Sequence, residues 1–403
     1  MKNKHKPEIR FPGFSGEWEH LKADEIFHSI SDKNHANLPV LSASQEKGMV
    51  YRAEIGIDIK YDEKSTKNYK RVLPGQFVIH LRSFQGGFAF SSIAGITSPA
   101  YTVLDFKNKE KCYSLFWRYV LASDTFIKRL ETVTYGIRDG RSISFSDFST
   151  LKFRVPSYNE QIKIGNFLKQ LDDTIALQQQ ELTTLKQTKQ GFLQKMFPKE
   201  GESVPEVRFP GFTGEWEQRK LSDLTKVITK GTTPKDKSSE GDINFIKVEN
   251  IDSGSGVISV TSKISKEEHE GYLKRSQLEI GDILFSIAGT LGRVTIVNDD
   301  VLPANTNQAL AIIRLNDGNT DFIATYLKGK SVEDYIRRNP TVGAQPNLSL
   351  QQVGNLTINY PNNREQEKIG NFFKQLDETI FLHQRELEAL KETKKAFLQK
   401  MFV

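Results

Sequence analysis

Several loops of this chain carry side chains that can hydrogen bond to the edges of nucleic-acid bases. They contain Arg, Gln, Asn, Ser and Thr, which supply the donors and acceptors that read a duplex through its major groove. The candidate residues are Arg82, Ser83, Gln85, Arg138, Arg141, Asn250, Thr290, Arg293, Asn305, Asn307, Gln308 and Gln345. Arg138 and Arg141 are the best candidates, because a Gly-flanked loop can approach a duplex closely and Arg binds guanine through two hydrogen bonds. For each residue alone, an ordinary solvated turn side chain is the alternative.

Lys235 and Lys247 are candidates for phosphate contacts, which position a protein on DNA without specifying its sequence. The net charge of +6 and the isoelectric point near 9.0 favour a polyanionic partner only weakly, since many soluble proteins are this basic. Residues 20–158 carry 20 Lys and Arg against 14 Asp and Glu, whereas residues 218–362 carry 17 of each. If both regions bind DNA, the second must concentrate its positive charge on one face.

No catalytic constellation is recognisable. The run KGKS at 328–331 resembles the end of a phosphate-binding loop, but Ala324 stands where a glycine is required. The run at 254–256 lacks the third glycine of a dinucleotide fingerprint. The run at 339–341 is not the Asn-Pro-Pro-aromatic tetrapeptide of an amino-methyltransferase. The seven His and one Cys show no zinc spacing, so we expect neither a catalytic residue nor a metal site.

An internal repeat defines the elements that must position these loops. Residues 160–197 and 365–402 are identical at 27 of 38 aligned positions. The long stretches that precede them, 20–159 and 218–364, barely resemble each other. The sequence therefore predicts two half-proteins in tandem, each a variable domain followed by a near-invariant helix.

A second, shorter repeat precedes each variable stretch. It reads EIRFPGFSGEWE at 8–19 and EVRFPGFTGEWE at 206–217. Its Pro-Gly step and its Gly-Glu-Trp predict a buried loop that clamps each domain to the helical frame. Direct contact with DNA is the alternative.

The repeated helical segments carry apolar residues in alternating steps of four and three, the mark of a coiled coil. The predicted apolar seam contains Leu168, Leu171, Ile175, Leu182, Leu185, Phe373, Leu376, Ile380, Leu387 and Leu390. Polar residues occupy matching seam positions, Gln178 with His383 and Lys189 with Lys394, and we interpret His383 as a register residue rather than a metal ligand. Because a whole domain separates the two helices along the chain, they can pair antiparallel about a pseudo-two-fold axis. The alternative is that each helix packs only on its own domain.

Both variable stretches predict mixed α/β domains of one shared fold. A turn followed by a β-rich strand occurs at 72–79 and again at 278–285, and a helical stretch follows at 113–130 and at 321–338. The predicted fold class is α/β, with two mixed domains separated by an antiparallel two-helix coiled coil. The predicted segments are a first domain at 1–158, a first spacer helix at 159–197, a linker and second domain at 198–362, and a second spacer helix at 363–403.

The composition is that of a globular protein of the cytoplasm. Hydrophobic residues make up 37% and charged residues 26% of the chain, which is ordinary for a soluble protein and too apolar for a disordered one. No apolar run approaches the roughly 20 residues that cross a bilayer. The N-terminus lacks the apolar core of a secretory signal, and the single Cys112 cannot form an internal disulfide. We therefore expect no membrane contact and a cytoplasmic location.

This organisation resembles the specificity subunit of type I restriction–modification systems. The resemblance covers essentially the whole chain and is carried by the duplication, the Arg-Phe-Pro-Gly-Phe boxes, the Gly-Asp-Ile-Leu-Phe strand at 281–285 and the Gln-Lys-Met-Phe helix ends. It implies two target recognition domains, each reading one half of a bipartite site on double-stranded DNA, with the helices as a spacer. It also implies assembly with two methyltransferase subunits that carry S-adenosylmethionine, and with restriction–translocation subunits that use ATP and Mg. No cofactor is then expected in this chain.

Two other classes of function remain open at the level of sequence. One is a coiled-coil scaffold whose flanking domains bind proteins, which the salt dependence of duplex binding would distinguish. The other is a self-contained nuclease or methyltransferase, which the missing motifs disfavour.

Overall fold

The computed structural model describes residues 7–44, 47–55, 63–79, 88–130, 143–236, 240–339 and 347–402. The chain divides into two compact units. Unit 1 comprises residues 1–177 and 388–403, and unit 2 comprises residues 178–387. Each long helix therefore contributes one part to each unit. Among the described residues, no helix has the length and apolar character needed to cross a membrane.

Unit 1 begins with a mixed α/β domain and continues into a long helix. Its elements are β1 (Glu19–Lys22), α1 (Ala23–Ile26), β2 (Phe27–Ile30), β3 (Leu41–Ser44), β4 (Gly48–Tyr51), β5 (Lys70–Val72), β6 (Phe77–Ile79), β7 (Phe88–Phe90), β8 (Gly95–Thr97), β9 (Thr102–Phe106), α2 (Ser114–Leu121), α3 (Asp124–Leu130), α4 (Phe145–Ser149), β10 (Lys152–Val155) and α5 (Tyr158–Lys195), with 3-10 turns at Arg52–Ile55 and Glu63–Asn68. Strands β2, β9, β6 and β7 form an antiparallel sheet in that order. Antiparallel pairs β1–β10, β3–β4 and β5–β8 surround it.

Unit 2 contains the second domain. Its elements are β11 (Glu217–Lys220), β12 (Thr225–Lys230), β13 (Ile243–Ile246), β14 (Ser262–Ile264), α6 (Lys266–Glu270), β15 (Ile283–Ser286), β16 (Val294–Ile296), β17 (Ala304–Thr306), β18 (Leu310–Leu315), α7 (Thr320–Leu327), α8 (Lys330–Arg338), α9 (Leu350–Gly354), β19 (Thr357–Tyr360) and α10 (Asn363–Met401), with 3-10 turns at Leu221–Leu224, Val248–Asn250, Lys274–Ser276 and Asp299–Val301. Strands β12, β18, β15 and β16 repeat the antiparallel order of unit 1, and β11 pairs with β19 as β1 does with β10. A further sheet has the order β14, β13, β17, in which β13 and β17 run parallel.

The central strands of both antiparallel sheets are buried on both faces. In β6, Phe77 and Ile79 pack into one hydrophobic core and Val78 into a second on the opposite face. In β15, Phe285 and Leu284 divide in the same way. Alternate side chains of a strand point to opposite faces, so a run of apolar residues is the expected sequence of a strand with a core on each side.

The turns that lead into these strands have the same construction, which confirms the shared fold. Gly75 and Gly281 have φ angles of +89° and +85°, a conformation that favours glycine. The backbone N–H of Leu73 donates to Gln76 Oε1 at 2.8 Å, and that of Glu279 donates to Asp282 Oδ2 at 2.8 Å. Each predicted helical stretch consists of two helices in the structure, α2 with α3 and α7 with α8.

Helices α5 and α10 pair antiparallel within each unit. In unit 1, the rings of Phe167 and Phe397 are 4.9 Å apart, and Asp172 forms an ion pair with Lys394. All ten predicted seam residues are buried or half-buried: Leu168, Leu171, Ile175, Leu182, Leu185, Phe373, Leu376, Ile380, Leu387 and Leu390. The heptad prediction of a two-helix coiled coil is confirmed.

In unit 2 the residue numbers of the contacting positions on α10 likewise decrease as those on α5 increase, as antiparallel pairing requires. Gln178 Oε1 lies 2.9 Å from His383 Nδ1, and the rings of Phe192 and Phe372 are 5.1 Å apart. Lys189 forms an ion pair with Asp377. The polar seam residues are thus used in pairing the helices.

The first RFPGF box straps the long helices together in unit 1. Arg10 donates through Nε and Nη2 to the two carboxylate oxygens of Glu160 at 2.6 and 2.7 Å, and that carboxylate is fully buried. The Ile9 N–H donates to the Lys400 carbonyl at 3.2 Å. Contrary to the expectation of a buried loop, the box lies at the surface and only its Trp18 is buried.

The second box makes the same contacts in unit 2. Arg208 donates to both oxygens of the buried Glu365 at 2.6 and 2.7 Å, and the Val207 N–H donates to the Lys195 carbonyl at 2.8 Å. Trp216 is its buried residue. In each unit the box therefore contacts both helices.

Two glycines let the domains approach the long helices closely. A Cβ on Gly165 would lie 2.8 Å from the backbone nitrogen of Phe116, at the start of α2. A Cβ on Gly370 would lie 2.6 Å from Asn319 Oδ1 and 2.9 Å from the backbone nitrogen of Phe322, in α7. The repeated glycines are explained by this contact.

Candidate nucleic-acid interface

Three segments of unit 2 meet at one edge of the antiparallel sheet. Strand β12 ends where Lys230 lies opposite Ala311, and β15 ends where Ser286 lies opposite Leu310. The Ile287 N–H donates to the Ala309 carbonyl at 2.8 Å. Residues 231–236, 287–293 and 307–309, here called the loop edge of unit 2, are therefore neighbours. They carry Lys235, Thr290, Arg293, Asn307 and Gln308, five of the predicted residues.

Lys247 joins this group through the parallel strands. Because Ile246 lies opposite Thr306 in the β13–β17 pair, the next residues along the chain, Lys247 and Asn307, leave the sheet side by side. Parallel strands end at the same edge, and side chains that follow them are brought together. Separate stretches of sequence thus contribute to one surface.

Exposed and half-buried members of the group have local partners. Lys235 Nζ lies 4.4 Å from the ring centre of Tyr272, a cation–π contact that leaves the ammonium in solvent. Asn307 Oδ1 accepts from the Ala309 N–H at 3.1 Å, and Gln308 Oε1 accepts from the Thr233 hydroxyl. Thr290 is exposed.

Asn250 and Asn305 are buried rather than presented to solvent. Asn250 Nδ2 donates to the Ser259 carbonyl at 2.8 Å and to Thr261 Oγ1 at 2.9 Å. Asn305 is fully buried, and its Nδ2 donates to the Leu273 carbonyl at 2.9 Å. A buried amide needs such partners, and these contacts commit both side chains to the fold.

Arg293 is also committed to the fold. Its Nη1 donates to the carbonyls of Val248 and Ile251 at 3.0 and 2.7 Å. These bonds anchor the 3-10 turn that follows β13, so the guanidinium does not point away from the domain as a base-reading residue would.

The remaining predicted residues lie outside the described residues. They are Arg82, Ser83, Gln85, Arg138, Arg141 and Gln345. The flanks of the first group are described: Ile79 and Phe88 lie opposite each other at the ends of β6 and β7. Ile79 also lies opposite Thr102, at the start of β9.

These flanks belong to the corresponding edge of the unit 1 sheet. Ile30, at the end of β2, lies opposite Val103. Residues 31–35 and 98–101, here called the loop edge of unit 1, therefore lie at the same edge of the sheet as Ile79 and Phe88, which flank the segment that carries Arg82, Ser83 and Gln85.

A cluster of cations that sequence reasoning missed lies where β5 contacts the loop edge of unit 1. Arg71 Nη2 lies 2.6 Å from Asp32 Oδ2, and His35 Nε2 lies 2.8 Å from Asp32 Oδ1. The hydrogen bond from His35 and the charge of Arg71 hold the pKa of the Asp32 carboxyl below its usual value. The carboxylate thus serves two cationic or polar partners at once.

Lys70 and Lys33 add further positive charge. Lys70 Nζ donates to the Tyr101 carbonyl at 2.6 Å. Burial lowers the pKa of Lys70, and the nearby charge of Lys33 lowers it further. The one signal in the sequence was the dense spacing of Lys67, Lys70 and Arg71, but their proximity to residues 31–35 depends on contacts distant along the chain.

Among the described residues, no group of three or more His, Cys, Asp or Glu side chains could hold an ion. What the geometry defines is a duplicated binding module: two domains of one fold present different side chains at the same sheet edge, each attached to a repeated helical frame.

Comparison with known proteins gives this module a family. The family model of the type I restriction modification DNA specificity domain matches residues 15–187 and 213–392. The chain belongs to this family. Its role is recognition of DNA sequence in a type I restriction–modification system, and specificity subunits of these systems are not catalytic.

Individual relatives agree. The chain is similar to the type I restriction enzyme MjaVIII specificity subunit of Methanocaldococcus jannaschii, with 23% identity over 323 residues that cover 77% of this chain and 74% of the relative. It is 30% identical over 147 residues to the EcoBI specificity subunit of Escherichia coli, covering 36% of this chain and 30% of that one.

Solved structures show the same fold. The S subunit of the type I system of M. genitalium superposes with a TM-score of 0.63 at 15% identity and covers 99% of both chains. A chain from a structural study of complex assembly in the type I R-M system has a TM-score of 0.51 at 16% identity, covering 98% of this chain and 99% of that chain.

Proposed function

We propose that each unit reads one half of a bipartite DNA site through its loop edge. The observation that carries the proposal is that the helical frame is repeated in the two units, whereas the loop edges are not. The straps and the seam repeat almost residue for residue and the entry turns repeat in construction, whereas the side chains at the two loop edges differ. Two domains that recognise different half-sites need the same supporting structure and different exposed side chains, and this is the pattern found here.

The proposed contacts divide by chemistry. In unit 2, Lys235 and Lys247 bind phosphate, and Thr290, Asn307 and Gln308 bond to base edges or sugars. In unit 1 the base-reading residues are Arg82, Ser83, Gln85, Arg138 and Arg141, and Gln345 belongs with unit 2. Asn250, Asn305 and Arg293 are left out because their bonds stabilise the fold.

The reaction itself takes place on partner subunits. We infer assembly with two methyltransferase subunits that bind S-adenosylmethionine, and with restriction–translocation subunits that use ATP and Mg, in the cytoplasm. The α5–α10 pair serves as the spacer that separates the two half-sites. The support for this is the family to which the chain belongs.

Methylation mapping tests the proposal. The host genome is sequenced for modified bases with the gene intact, deleted, and restored on a plasmid. We expect one motif of two short specific halves around an unspecified gap, which disappears on deletion and returns on complementation. A methylome that the deletion leaves unchanged would contradict the proposal.

A further inference from the structure

The cation cluster at the loop edge of unit 1 has more positive charge than its own carboxylate can balance. Asp32 pairs with Arg71 and bonds His35, and among the described residues no carboxylate forms an ion pair with Lys33 or Lys70. Like charges held close together cost free energy, and an incoming anion removes that cost. The cluster is therefore arranged for a polyanion.

The backbone of the cluster and the side chains of Lys70 and Arg71 are held in place before any ligand arrives. The Arg71 N–H donates to the Asp32 carbonyl at 2.7 Å, and the Asn34 N–H donates to the Lys67 carbonyl at 3.0 Å, so residues 31–35 lie along β5. Lys70 is fixed by its bond to the Tyr101 carbonyl at 2.6 Å. Binding then orders few additional side chains, which favours affinity.

The cluster lies near the segment that we propose to contact the DNA bases. Tyr101, which holds Lys70, directly precedes Thr102, and Thr102 lies opposite Ile79, the last described residue before the segment with Arg82, Ser83 and Gln85. Cations beside a base-reading segment are placed to contact the backbone of the same stretch of duplex.

We propose that Lys33, Lys70 and Arg71, brought together where residues 31–35 lie along β5, form a phosphate-binding surface that holds the DNA backbone against the first recognition domain. This rests on the proposed function. Phosphate contacts release counterions, so each one steepens the dependence of affinity on salt by about 0.9 in a plot of log K against log salt concentration. Asp32 is a positioning residue, because it orients Arg71 and His35 without contacting DNA.

The test uses the full chain in complex with its methyltransferase subunits. Binding to a duplex that carries the methylated motif, and to a scrambled duplex, is measured by fluorescence anisotropy over a salt series. The variants are Lys33→Gln, Lys70→Gln and their combination. Lys107→Gln is the matched control, since Lys107 is exposed and follows β9 at the opposite edge of the same sheet.

We expect each single variant to reduce the salt slope by about 0.9. Between about 50 and 200 mM salt, the double variant should lose about tenfold less affinity than the wild type. Both duplexes should be weakened equally at low salt, because phosphate contacts do not read sequence. Lys107→Gln should match the wild type.

A Lys33→Gln slope equal to that of the wild type would overturn the inference, and Lys33 is exposed, so its replacement does not endanger the fold. An equal loss in Lys107→Gln would also overturn it. Failure of the proposed function looks different: the wild type itself would show no preference for the motif over the scrambled duplex.

Discussion

Removing Asp377 should open the helix pair in unit 2. Lys189 is a buried lysine with 8% of its surface exposed, and it pairs with Asp377 on the antiparallel helix. Its Nζ also donates to the Gly254 carbonyl at 3.0 Å, and Lys328 Nζ lies 3.2 Å from the other oxygen of Asp377. One carboxylate therefore serves two lysines from different elements.

The magnitude follows from burial. Desolvation lowers the pKa of Lys189 although Asp377 opposes that shift, so the cost of burying the ammonium outweighs the attraction within the pair. Breaking such a pair by removing one partner costs about 3 kcal/mol or more, because the other charge stays buried. Replacing both partners with apolar residues is often neutral or stabilising. Asp377→Ala should thus be damaging, and Lys189→Met with Asp377→Leu should not.

Amide hydrogen exchange of α5 and α10 measures this locally, without requiring one cooperative transition of a two-unit chain. We expect exchange around Lys189 to become about a hundredfold faster in Asp377→Ala. Asp173→Ala is the control, since Asp173 pairs with Lys169 on the surface of α5, with 62% and 46% of the side chains exposed. It should cost less than about 0.5 kcal/mol. Equal exchange in Asp377→Ala and Asp173→Ala, or a double replacement as damaging as the single one, would refute the reasoning.

Three further predictions concern the same frame. Gly370→Ala should destabilise the chain, because its Cβ would lie 2.9 Å from the Phe322 nitrogen, whereas Gly191→Ala, with open space around it, should stabilise α5 by about 0.5–1 kcal/mol in thermal unfolding. Leu182→Asp places a charge in the buried seam and should abolish co-purification with the methyltransferase, and a normal complex would count against the coiled coil. Four residues inserted into each long helix add about 6 Å, so the gap in the methylated motif should lengthen by one to about two base pairs. An unchanged gap with full activity would show that the helices do not set the spacing.

Features encoded locally were predictable from the sequence. The heptad seam, the polar pair Gln178 and His383, and the repeated turns at Gly75 and Gly281 each depend on residues close in sequence or on direct repetition. The helical stretch 113–130 was predicted in the right place, but the structure divides it into α2 and α3.

What the sequence could not supply depends on distant contacts. Asn305 stands in a polar stretch of sequence that is typical of a loop. The structure places it in β17, whose parallel pairing with β13 buries it. The cluster around Asp32 likewise forms only when residues 31–35 lie along β5. Loop composition therefore predicted where a recognition surface lies. It did not distinguish the residues that stabilise this surface from those that are exposed on it.

The central claim is that two independent readers share one frame, and exchanging one reader tests it most directly. Residues 20–158 are replaced with the equivalent region of a relative that recognises a different site, and the methylome of a host expressing the hybrid is sequenced. We predict that one half of the methylated motif changes, while the other half and the gap stay as they were. A change in both halves, or in the gap, would contradict the account.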